Sequence, residues 1–119
     1  MKKPKKFKQT EKEITTGIRN VLKGLRIFHY KQWQGLGSLK GVSDIIGIAK
    51  KPVRCPHCQK EFNIEGFYAA IEVKRPGGKL TESQEDFLFS VKQAGGIAIV
   101  AHSVDDVIKG LGLKNKFLV

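Results

Sequence analysis

Cysteine is almost missing from this chain of 119 residues: there are two, Cys55 and Cys58, held in a single Cys-x2-Cys. A disulfide framework of the kind that staples small secreted domains needs more, so the pair reads as a metal half-site or a redox pair in a reducing compartment. Long apolar runs are missing as well. No uninterrupted stretch of about 18 apolar residues is present, which excludes a helix that crosses a bilayer. The lysine-rich start, MKKPKKFKQ, runs into polar TEKE and not into the apolar core of a secretion signal. The expected location is the cytoplasm, of a bacterium or of a host cell if the source is viral. Acidic residues are scarce too: 11 Asp and Glu against 22 Lys and Arg leave a net charge of +11. That balance points to a polyanion, nucleic acid first. A membrane surface would need a basic amphipathic helix with Trp, Phe or Leu opposite its cations, and none stands out.

Length allows one compact domain and one active site. Residues 1–9 are basic, contain Pro4 and lack periodicity, so they are expected to form a flexible arm whose Lys5 and Lys6 follow phosphates. The single domain is expected over 10–119. Ile14, Ile18, Val21, Leu22 and Leu25 recur at helical spacing behind a Thr10-to-Glu13 capping box, predicting a helix over 11–26. Aromatic-rich 27–33 predicts a strand, and Asp44-Ile45-Ile46-Gly47-Ile48-Ala49 a core strand with Asp44 at its mouth. Residues 50–66, with two prolines and the Cys-x2-Cys, read as a polar insertion. Phe67 to Lys74 predict a second central strand, and a helix opens after Thr81, with Phe87, Leu88 and Val91 inward, and closes at Gly95-Gly96. A buried strand follows over 97–101, then a last helix capped by Ser103. The resulting α/β (α+β) class is a mixed central sheet with helices on its faces.

Within Ile71-Glu72-Val73-Lys74 the strand period of two puts Glu72 and Lys74 on one face. Two charges on a strand otherwise composed of FYAAIV cost free energy unless they are paired, solvated or bound to an ion. The plain alternative is an edge strand with a solvated Glu/Lys pair. Asp44 offers a second carboxylate, although a lone Asp in that position is commonly a turn or cap residue. Two carboxylates from neighbouring strands with a lysine beside one of them suit Mg2+-assisted phosphodiester hydrolysis. Mg2+ takes one or two carboxylates and keeps its waters, while the lysine orients the attacking water or offsets developing charge.

The ordered set Gly41-Val42-Ser43-Asp44-Ile45-Ile46-Gly47, Ile71-Glu72-Val73-Lys74-Arg75 and Gly78-Lys79-Leu80-Thr81 with Gln84 resembles the successive motifs of the VRR-NUC branch of the PD-(D/E)XK nucleases, over about 13–107. The resemblance implies a restriction-endonuclease-like fold and a stand-alone endonuclease, dependent on Mg2+ or Mn2+, acting on branched DNA in the manner of a Holliday-junction resolvase and working as a homodimer. It implies that Asp44 and Glu72 are metal ligands with the Val73 main-chain carbonyl, that Lys74 is the motif lysine, and that Gln84 reaches back toward the metal or the scissile phosphate. A glutamate on the first helix completes the set, Glu13 being the better match and Glu11 the alternate. Lys40, Arg75 and Lys79 would touch phosphates, and such contacts carry affinity without sequence information.

Cys55 and Cys58 resemble one knuckle of a zinc ribbon, but a structural Zn2+ takes four ligands. Either two chains share one Zn2+ or the knuckle is a metal-free remnant. Two other readings of the whole chain stay open. One is a non-catalytic, basic nucleic-acid-binding module; the other is a flap-cutting or nicking nuclease of viral or mobile-element DNA processing.

Overall fold

The computed structural model describes residues 9–113. The basic arm with Lys5 and Lys6, and residues 114–119, lie outside that range. Ile14, Ile18 and Leu22, one helical turn apart, form the buried stripe of α1, Glu11–Gly24. Burial of each stabilises the fold by roughly 1.5–3 kcal/mol. Thr10 caps the helix, its hydroxyl accepting the Glu13 N–H. β1, His29–Lys31, takes only the centre of the expected 27–33 strand, and pairs from His29 with Gly47 to Lys31 with Ile45. The flanking Phe28 and Trp33 are exposed, so no burial drives the strand further.

β2, Ile45–Arg54, and β3, Glu61–Val73, form a long antiparallel hairpin. α2, Glu82–Gln93, crosses over to β4, Ile97–Ala101, which lies parallel to β3, and α3, Val104–Gly110, closes the described chain. The sheet runs β1-β2-β3-β4. Odd-numbered β3 residues Ala69, Ile71 and Val73 meet Ile14, Ile18, Leu22 and Val107 of α1 and α3. On the opposite face Ile46 and Ala70 meet Leu88 and Val91 of α2. This mixed, α+β arrangement agrees with the restriction-endonuclease-like fold that the resemblance implies.

The structure gives one reading its form and removes one alternative. The polar insertion 50–66 is built of strand. β2 and β3 continue through it in register, from Lys50 opposite Gly66 to Arg54 opposite Glu61, with a bulge at Val53/Arg54, so that the cysteines sit at the tip of a two-stranded arm. The alternative of an edge strand for Glu72 falls, and the expected central strand stands. β3 lies between β2 and β4, and Glu72 is only 2% exposed.

Candidate active site

One step beyond the Ile45–Ile71 pair, the ladder sets Asp44 against Glu72. Asp44 Oδ2 accepts the N–H of Val73 at 2.7 Å, which fixes the carboxylate against the end of β3. The turn before it is clamped to α2. Gly41 has φ +79°, and a Cβ there would run into the carbonyl oxygen of Ser83. Only glycine combines that dihedral with that approach. From the other side of the clamp, α2 contributes Gln84. Its N–H donates to the Thr81 hydroxyl and its Oε1 accepts the Thr81 N–H at 2.9 Å, a complete capping box. Its Nε2 is left free to donate to Glu72 Oε1 at 3.1 Å.

Glu72 is thereby buried with one oxygen held and the other, Oε2, without a partner among the described residues. Its pKa is pushed up from 4.5 to about 8, first by burial, then by the charge of the neighbouring Asp44 carboxylate; Lys74 opposes the rise and Glu11 adds to it. Two facing carboxylates with one neighbouring ammonium make a site short of positive charge. Among the described residues, no group of three or more His, Cys, Asp or Glu side chains is arranged to hold a metal ion. A hard divalent cation needs no such cage. Mg2+ binds through one or two carboxylates and keeps waters in its other positions, so the orphaned Glu72 oxygen opposite Asp44 fits it.

The model of the VRR-NUC domain family matches residues 3–105, most of the chain. This chain belongs to the VRR-NUC family. No curated protein and no solved structure matches it. The VRR-NUC match makes the fold that of a nuclease domain, with DNA as the substrate class, and accords with the PD-(D/E)XK superfamily. It takes in the hairpin arm together with the sheet.

Beside the carboxylates the VRR-NUC domain opens a cleft of about 430 Å³, lined by Asp44 and Val73 and, from α1 and β1, by Glu11, Arg19, Lys23 and Lys31. The first-helix glutamate brought to the site is Glu11. Its Oε1 accepts the N–H of Arg75 at 3.4 Å and its charge reaches Glu72. Glu13, the expected residue, is not there: its Oε1 accepts the Thr10 hydroxyl at 3.1 Å at the helix cap. Two residues along a helix is a rotation of about 200°, which turns Glu13 away when Glu11 faces the cleft. Lys40 is exposed on a second cleft that Gln84 also lines. Arg75 lies with Pro76 and Glu11 on the outer side of the site, and Lys79 is exposed on the turn before α2. Lys5 and Lys6 fall outside the described residues. The cations that line the Asp44 cleft, Lys12, Arg19, Lys23 and Lys31, were not singled out from the sequence. Their signal was present: 12, 19 and 23 share a helical stripe next to the buried 14, 18, 22 stripe. Arg19 Nε is buried there without a partner among the described residues.

Proposed function

We propose that the chain, as one nuclease domain over 10–119, is a Mg2+- or Mn2+-dependent endonuclease that cuts branched DNA as a homodimer, with Asp44 and Glu72 as its metal ligands. The observation that carries this reading is the interior-strand carboxylate of Glu72, 2% exposed, with an orphaned oxygen opposite Asp44. A fold does not maintain such a group for stability, because an unpaired buried carboxylate costs several kcal/mol.

When bound, the cation supplies charge to the scissile phosphate and activates the attacking water. The chain's own groups divide the remaining work. Gln84 pins Glu72 Oε1 and leaves Oε2 for the ion, and the Val73 main chain holds Asp44 in line. The Val73 carbonyl is a third oxygen ligand in this reading. Lys74, on the same side of the chain as Glu72, offsets charge that develops at the phosphate or orients the water. Glu11 stands in the cleft, and Lys12, Arg19, Lys23 and Lys31 hold the backbone of the DNA there. Lys40, Arg75 and Lys79 extend that track over the neighbouring surface. Product ends of 5′-phosphate and 3′-hydroxyl follow from the family. A domain with one site cuts two strands symmetrically only as a pair, which supports the dimer.

The test is cleavage of labelled four-way junction, flap, nicked and linear duplex DNA, with and without Mg2+ or Mn2+. Metal-dependent cutting that favours the junction is expected. Preference for a flap or nick would move the substrate assignment, and tight binding without cutting under either metal would leave a binding module.

A further inference from the structure

The nuclease reading leaves the arm unused. None of residues 50–66 belongs to either core cluster, and Phe62 and Ile64 are each 66% exposed. They share the face of β3 that carries Tyr68 further down. A two-stranded ribbon on whose faces no core of the described residues packs is marginal in water. Its ion pair, Arg54 to Glu61 at 3.0 Å, is exposed and contributes little.

The tip is nevertheless closely organised. The Cys55 N–H donates to the carbonyl of Lys60 and the Gln59 N–H to the carbonyl of Cys55, both at 2.9 Å. Gln59 is held at φ 63°, the left-handed region, which a side-chain-bearing residue keeps only where its surroundings impose it. The result is two thiols on one turn, Cys58 exposed.

Soft thiolates at Cys-x2-Cys spacing select zinc, which takes four such ligands in a structural site. The chain contains no other cysteine, and His57 lies inside the knuckle. His29 belongs to β1 and His102 follows β4, both in the body of the sheet. The missing ligands therefore come from outside the chain. We propose that Cys55 and Cys58 bind a Zn2+ shared with the same two cysteines of a second copy, so that the arm tips tie two nuclease domains into a symmetric dimer. A two-fold axis running along the arms also brings the Phe62–Ile64 faces of the two copies together and removes them from water. This deepens the dimeric reading given above. Its test reads metal and mass and not DNA cleavage, so either conclusion can fail alone.

The experiment uses the full chain, reduced and loaded with Zn2+, then freed of excess metal. Zinc content is measured beside the mass in solution, and Co2+ is substituted for its absorption spectrum. One zinc per two chains, a dimer that a zinc chelator dissociates, and the charge-transfer and d–d bands of a tetrahedral tetrathiolate are expected. Cys55→Ser and Cys58→Ser should each lower zinc affinity by at least about 100-fold, and His57→Ala should retain it. If a serine variant fails to fold, the stoichiometry and the cobalt spectrum of the unaltered chain decide. One zinc per monomer, a spectrum with nitrogen ligands lost in His57→Ala, or a folded reduced protein that keeps no zinc would each overturn the proposal.

Discussion

A single carboxyl group sets the pH behaviour of the metal-free domain. The folded-state pKa of Glu72, about 8, lies above the ordinary 4.5, so between those values the folded chain holds a proton that the unfolded chain has released. Its contribution to stability is complete below about 4.5 and is lost as pH rises through about 8. In a chelator, the Tm should therefore fall by at least about 5 °C between roughly pH 5 and pH 8.5. Glu72→Gln should flatten that slope, and Mg2+ should restore the Tm of the unaltered chain at high pH but not that of the variant. A Tm independent of both pH and metal would contradict the assignment of Glu72. Gly41→Ala should cost about 2 kcal/mol or more by denaturant melting, because it strains φ and displaces the clamp on Ser83. It should also reduce cleavage, since the same turn positions Asp44 against Glu72. Much of this site was legible in the sequence, because Gly41-x-Ser43-Asp44 and Glu72-x-Lys74 are local patterns and a strand's period of two fixes which side chains share a face. The choice between Glu11 and Glu13 was not, because it depends on the rotation of α1 against the sheet, which no local pattern encodes.

Among the elements, α1 and the arm differ in what supports them. Ile18 is fully buried between α1 and the sheet, and Ile18→Ala should destabilise by about 2–5 kcal/mol. Phe62→Ser on the arm should change the stability of a zinc-free monomer by less than about 0.5 kcal/mol. Equal effects in denaturant titrations would show that the arm shares the core. The helices and β4 could be read from apolar periodicity because each has a single stripe or a continuous run to bury. The arm could not. Its residues are polar and exposed, and Pro52 reads as a breaker, yet β1 pairs with β2 only up to Gly47, so at Pro52 the strand has one partner and one free side. A proline fits such an edge. The cysteines thereby moved from the middle of an insertion to the far end of a two-stranded ribbon.

At the scale of the whole molecule, the net charge of +11 favours a polyanion, and four of the cations, Lys12, Arg19, Lys23 and Lys31, line the cleft that Asp44 opens onto. Each phosphate neutralised contributes about −0.9 to the slope of log affinity against log salt. Lys23→Ala with Lys31→Ala should therefore make that slope shallower by about 2 in Ca2+, if the cleft is where the DNA lies. An unchanged slope would move the DNA elsewhere on the surface. The central claim is narrower than binding, and single-turnover cleavage of a four-way junction by the unaltered chain, Glu72→Ala and Lys74→Ala tests it directly. The account predicts cutting that requires Mg2+ or Mn2+, abolished in Glu72→Ala and slowed by about 10²–10⁴-fold in Lys74→Ala while both variants stay folded and bind the junction. Cutting by Glu72→Ala at the unaltered rate, or equal cutting in a chelator, would contradict it.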